Sequence, residues 1–186
     1  MSELSSLFSK VKITKAQLEN FLKSAPEKPT LNDNWQKWWD SREMYSKMDL
    51  TPEYLRSYNE KTNQEVLDGW MEYKQAMAFS DYDEAKEEWQ WGLLFFSENY
   101  VEMLPMLAFI VSMEKFVTES TENRAIVYPY FWGDSNVDAY IYFENGKAVL
   151  SPQVKSTSDV NVALMENTIV CLDQKWEDLS KNMEMD

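Results

Sequence analysis

The sequence predicts an α+β fold: a helical N-terminal half packed with a small antiparallel β-meander near residues 125–150, and a long C-terminal helix. Three observations carry this expectation. Apolar residues recur at helical spacing through much of the first eighty residues, Trp35, Trp38 and Trp39 among them. Two runs rich in aromatic and β-branched residues, 125–132 and 137–143, are separated by turn-forming residues. Near the end, Val162, Met165, Ile169, Leu172, Trp176 and Leu179 fall on one helical face.

Taken in order, residues 11–14 alternate like a short strand, and Thr14 with Gln17 makes a capping box for a helix over 14–24. Pro26 and Pro29 stop that helix and turn the next dozen residues into a surface connection. Asn32, Asp33 and Asn34 offer N-caps for a second helix running through Trp35, Trp38, Trp39, Tyr45 and Met48. Thr51 and Pro52 read as cap and first residue of a third. Thr62 or Asn63 caps a fourth, carrying Val66, Leu67, Trp70, Met71 and Met77.

Residues 81–96 start as a charged helix and end in a bulky run, Trp89 to Phe96, whose alternation also suits a strand. Residues 97–118 fit a helix through Tyr100, Leu104, Leu107 and Val111, and over 107–111 a buried strand equally well. Strands follow at 125–132, 137–143 and 147–150, joined at Gly133-Asp134-Ser135-Asn136 and at the hairpin dipeptide Asn145-Gly146. Ser158 or Asp159 caps the final helix, and 182–186 read as a frayed end.

A chain of 186 residues with 44% hydrophobic and 15% aromatic content can bury a core as one domain, 1–186, without staples. A single cysteine, Cys171, excludes an internal disulfide and suits a reducing, cytoplasmic setting. The first twenty residues lack the apolar run of a secretory signal, so the mature chain is expected to start there. The most apolar stretch, 92–113, is broken by Glu98, Asn99, Glu102 and Pro105 and is too short to span a bilayer.

The net charge is −14, and it is unevenly spread: residues 1–50 carry +1 and residues 51–100 carry −7. Such a chain repels nucleic acid and anionic membrane, both of which demand Lys and Arg. Neither is an expected partner.

Chemistry is narrowed by what is missing. No histidine occurs, which removes the commonest general base and the commonest transition-metal ligand. Four glycines, at 69, 92, 133 and 146, cannot write a dinucleotide fingerprint or a phosphate loop. The densest carboxylate group is Asp81, Asp83, Glu84, Glu87 and Glu88. As a calcium loop it fails, since the sixth position is Lys86 instead of Gly and the twelfth is Gly92 instead of Glu. No metal or cofactor is expected. The same acids would also suit a helix N-terminus, where they favour the macrodipole, or an anionic contact surface. Cys171, beside Ile169 and Leu172, reads as a small buried hydrophobe, and the Trp35, Trp38 and Trp39 cluster as core.

What remains points to binding without catalysis. The expected partner is a basic protein, a toxin or a nucleic-acid enzyme, in the manner of immunity proteins that neutralise bacterial nuclease toxins. Clustered carboxylates would cover a cationic cleft and speed encounter. The expected contact residues are Asp81, Asp83, Glu84, Glu87 and Glu88, together with Tyr128, Tyr130, Trp132, Asp134 and Asp138, the three aromatics sharing one strand face. A small-ligand or carboxylate enzyme module would instead require acids converging in a pocket. A structural or adaptor subunit would require an extended apolar surface.

Overall fold

The structure, a computed structural model, describes residues 3–183. Its centre is a six-stranded, wholly antiparallel sheet in the order β2-β3-β1-β4-β5-β6, made of β1 (Ser5–Lys12), β2 (Ala78–Asp83), β3 (Glu88–Ser97), β4 (Arg124–Tyr128), β5 (Ala139–Glu144) and β6 (Lys147–Leu150). Four helices lie over one face: α1 (Lys15–Lys23), α2 (Asp33–Asp40), α3 (Asn63–Glu72) and α4 (Tyr100–Val111). The long α5 (Val162–Met183) covers the other.

Side chains alternate across the strands and feed two cores. Leu7, Val11, Trp89, Trp91, Leu93, Val127 and Ile141 face the four helices, where the stacked Trp89 and Trp91 rings lie 5.3 Å apart. Phe8, Phe79, Leu94, Ile126 and Tyr140 face α5 and meet its Met165 and Leu172. The Trp35, Trp38 and Trp39 cluster is core as expected, with Trp38 wholly buried and donating its indole N–H to the Asp138 carbonyl at 3.1 Å.

The helix starts follow the sequence. Thr14, Asn32 and Thr62 each accept a backbone N–H with their side chains and cap α1, α2 and α3. Asn99 does the same for α4, which settles 100–111 as helix with Pro105 inside its first turns. The long C-terminal helix is present, but its start moves: Ser156 and Asp159 make a capping box around a separate 3-10 turn, and Asn161 receives the Leu164 N–H at the head of α5. Asn182 and Met183 belong to α5; residues 184–186 lie outside the described residues.

A helical N-terminal half is not what the chain builds. That half supplies β1, β2 and much of β3, and β1 is a central strand of the sheet. Its serines conceal it in the sequence. Ser6 and Ser9 are fully buried, and their hydroxyls donate to the carbonyls of Leu94 and Arg124, so small polar residues sit in the sheet interior at no unpaired cost. The helix expected after Thr51 is a single turn, closed by the Tyr54 and Leu55 amides on the Thr51 carbonyl. The second helix stops at Asp40, and Tyr45, assigned to it by periodicity, is 99% exposed. The strand over 125–132 ends at Tyr128, where Pro129 breaks the ladder, and Tyr130–Trp132 form a 3-10 turn.

Two buried arginines fasten the layers. Arg124, on β4, bonds the Thr168 hydroxyl, the Asn167 amide oxygen and the Leu164 carbonyl, pinning α5 to the sheet. Arg42, just after α2, reaches carbonyls of Asp138, Ser151 and Val154 and ties the helical layer to the chain on either side of the β5–β6 hairpin. No helix among the described residues is long and apolar enough to cross a membrane.

Candidate functional site

The acidic run 81–88 forms the β2–β3 hairpin and not a helix. Asp83 opens the turn by accepting the Lys86 N–H at 3.0 Å, and Glu87, at φ 48°, closes it in the left-handed region. Alternating burial from Trp89 onward, with Trp89 and Trp91 inside, outweighs the helical pattern of the acids. Glu84 and Glu87 therefore share no helix face, and the macrodipole reading of the cluster lapses.

Most of this acidity is locally neutralised. Glu88 is half-buried between Lys10 and Lys12, at 3.4 and 3.3 Å, Lys15 pairs with Glu84, and Lys175 reaches across from α5 to Asp81 at 2.6 Å. The Lys15 hydrogen bond lowers the Glu84 carboxyl from its ordinary value. Asp83 and Glu87 are the only two of the five outside an ion pair among the described residues. A cleft of about 660 Å³ lies between the hairpin and α5, lined by Lys10, Asp81, Glu88, Asn167, Cys171 and Lys175. Its cations and anions satisfy one another. Burial pushes the Cys171 thiol up, so it stays protonated at neutral pH and behaves as a small packing group.

The second expected group lies at the other end of the sheet. Glu88 is level with Lys12 and Tyr128 with Ser6, a separation of six residues of β1, or about 20 Å at the usual strand rise. The two groups do not form one surface. Tyr128 is buried and takes no part in any surface, while Tyr130 and Trp132 follow it in the 3-10 turn instead of sharing its strand face.

That turn completes an interlocked aromatic cluster which the sequence did not reveal. Phe131 stacks on Phe95 at 4.8 Å and meets Trp176 of α5 edge-on at 5.1 Å, with Tyr130 at 4.7 Å from Phe131. The Tyr130 hydroxyl donates to Asp173, and burial with that carboxylate pushes the phenol up. Trp132 is 38% exposed and Trp176 40%, and the Trp132 indole is held by the Leu4 carbonyl at 3.2 Å. Phe95, Phe131, Asp173 and Trp176 come from three separate elements, so no local pattern marks them; the sole hint was the helical spacing that placed Trp176 on α5.

Around the cluster stand exposed acids. Asp134 is exposed and orders its own turn by accepting the Asn136 N–H at 3.0 Å. Glu98, at the end of β3, receives the Glu3 N–H at 3.1 Å and brings a second carboxylate to the same end. Glu98, Asp134 and Asp173 make no ion pair with any described residue. Uncompensated negative charge thus gathers beside aromatics here, whereas at the hairpin three of the five acids are paired and only Asp83 and Glu87 are not.

Asp138, expected at this surface, points inward. Its two oxygens accept from the Ser5 and Tyr100 hydroxyls, the latter at 3.0 Å. Burial pushes its carboxyl up, against those two bonds and nearby Arg42. A carboxyl raised by folding favours the folded state while protonated, and that contribution is lost as pH rises through its folded pKa. Asp138→Asn is therefore expected to gain stability relative to wild type between pH 3 and pH 7; urea unfolding at the two values measures it.

No group of three or more Cys, Asp or Glu among the described residues is placed to hold a metal ion. Comparison of the chain with protein-family models, with curated proteins and with solved structures returns no match.

Proposed function

We propose that this protein is a non-catalytic binding protein that uses the aromatic and acidic face of β3, the 130–132 turn and α5 to engage a basic protein, as an immunity-type inhibitor engages a cationic toxin. One observation carries the reading: Trp176, packed in the Phe95 and Phe131 cluster, and Trp132, held at its indole by the Leu4 carbonyl in the adjoining turn, are both partly exposed, beside carboxylates Glu98, Asp134 and Asp173 that make no ion pair with a described residue. Rigid aromatics that give large contact area with little ordering cost are what interface anchors consist of, and a carboxylate rim selects a cationic partner. The net charge of −14 extends that attraction beyond contact range.

The test begins with capture of the partner from the source cell at low and high salt, followed by rescue of growth when the partner is expressed as a toxin. With the partner in hand, Trp132→Ala should weaken binding about 30-fold, roughly 2 kcal/mol. Charge reversal of Glu98, Asp134 and Asp173 together should slow association about tenfold at low ionic strength, with little difference near 1 M salt. Reversal of Asp83 and Glu87, about 20 Å away along the sheet, should change the rate far less. An acidic partner, or binding indifferent to Trp132, would sink the proposal.

A further inference from the structure

We propose that the outer edge of β2 takes up an extended, basic and apolar segment of a protein partner as a seventh strand of the sheet. The two edges of this sheet are treated differently. At β6, Asn34 receives the Leu150 N–H at 3.0 Å and donates to its carbonyl at 2.8 Å, while Glu114 takes the Ala148 N–H at 2.7 Å. Side chains thus fill the places of a neighbouring strand.

Nothing comparable closes β2. The Leu94 N–H bonds the Met77 carbonyl, which fixes the alternation so that Ala78, Ser80 and Tyr82 turn their N–H and C=O groups away from β3. No described residue bonds those outward groups. An open row of this kind is a template for strand addition.

Two further features say what fits. Where β2 begins, a mainly apolar groove of about 400 Å³ runs between α3 and α5, lined by Met71, Tyr73, Met77, Ala78, Leu179 and Met183 together with Lys74 and Asn182, so its occupant is the apolar part of the segment. Met71, Tyr73 and Met183 are 45%, 53% and 64% exposed, an apolar surface directly in line with the strand. Along the strand, Asp81 and Asp83 alternate with the outward-facing residues and stand exposed on one face; Asp81 already holds Lys175 at 2.6 Å, while Asp83, in no ion pair with a described residue, would sit beside a side chain of the added strand. A second copy would bring the same two aspartates and another −14 charge to the edge. A segment that combines apolar residues with Lys or Arg beside Asp83 meets both features, whereas a second copy sets like charge against like along the strand. The proposal takes from the preceding reading only that the partner is basic; its site is separate from the aromatic face.

The probe is a ten-residue synthetic peptide alternating Lys and Val, with a Glu and Val peptide as its counterpart, added to the whole protein. Amide exchange is expected to slow about tenfold at Ala78, Ser80 and Tyr82 with the Lys peptide and to stay unchanged with the Glu peptide. Ser80→Pro removes an outward donor without touching the ladder to β3, at the cost of the hydroxyl that accepts the Trp89 indole N–H at 2.9 Å, and should abolish the protection. Met71→Ala, at an exposed groove position that leaves the ladder intact, should weaken the peptide several-fold and serves if the proline variant does not fold. Equal protection by both peptides, or protection confined to the Trp132 and Trp176 region, overturns the proposal. So does a dimer in light scattering that Ser80→Pro dissolves, because the occupant is then a second copy. If the natural partner loses affinity with Trp132→Ala and is indifferent to Ser80→Pro and Met71→Ala, the aromatic face stands and the edge falls.

Discussion

Arg42→Met is expected to lower the unfolding free energy by about 3–5 kcal/mol, because truncation leaves the Ser151 and Val154 carbonyls without their partner and the Asp138 carbonyl with the Trp38 indole alone, each orphaned group costing about 1–3 kcal/mol. Arg42 is 4% exposed and spends all of its donors inside the protein. Nε bonds the Asp138 carbonyl at 2.8 Å, Nη1 the Ser41 hydroxyl at 2.8 Å, and Nη2 the carbonyls of Ser151 at 3.3 Å and Val154. Met conserves much of the volume, so the loss reports hydrogen bonds and not a cavity. Arg42→Lys should recover less than half, since an ammonium cannot reproduce the planar fork. For a chain of this length the Met variant should melt roughly 10 °C lower. Arg56→Met, at an exposed position, is the control and should change stability by less than about 0.5 kcal/mol. A loss under about 1 kcal/mol for Arg42→Met would show that water replaces the guanidinium and that the staple is not needed.

The same residue shows why the second helix was overextended by periodicity. Tyr45 and Met48 continue the spacing of Trp35, Trp38 and Trp39, but the chain leaves the helix so that Arg42 can reach the strand ends of β5 and β6. Tertiary bonds about a hundred residues away in sequence decide where the helix ends, and no local pattern contains them. Caps were legible for the opposite reason. Thr14, Asn32 and Thr62 act on amides three residues on, so their signal is local and all three start helices. The hairpin at Asn145-Gly146 was legible on similar grounds, both residues adopting positive φ between β5 and β6.

β2 and all of β1 before the short strand expected at 11–14, which overlaps its last two residues, were lost to composition. Serine in β1 and aspartate in β2 are poor strand formers, and each is accommodated by its place in the sheet: buried hydroxyls bonded to neighbouring carbonyls at the centre, solvated carboxylates at the edge. The candidate site divides in the same way. Tyr130, Trp132 and Asp134 are near one another in sequence and could be read as one group, whereas Asp173, Trp176, Phe95 and Glu98 come to the same end of the sheet only through the crossing of α5 and the end of β3. Net charge was visible from composition, but its neutralisation at the hairpin depends on Lys10, Lys12, Lys15 and Lys175, which approach from β1, α1 and α5.

Gly92→Ala is expected to lower stability by about 3 kcal/mol, an overpacking penalty in the middle of a sheet with nowhere for the methyl to go. Gly92 lies in β3 between Phe8 of β1 and Phe79 of β2, and the absent side chain leaves room for the Phe79 ring and for the close approach of the Leu7 carbonyl. An added Cβ would overlap the Leu7 carbonyl oxygen and stand 2.8 Å from the tip of the Phe79 ring. The two clashes differ in kind. Phe79 is a side chain and can swing, while the Leu7 carbonyl belongs to a strand held on both sides by β3 and β4, next to the register shift between Ser5 and Leu7. Phe79→Leu in the Gly92→Ala background should therefore return under half of the loss, and the double-mutant coupling should stay near or below about 1 kcal/mol. Full rescue would place the strain in the ring and leave the backbone contact without consequence. Neutral behaviour of Gly92→Ala alone would mean that β1 and β3 separate at little cost, and the central strand pair would then be looser than its buried hydroxyl bonds imply.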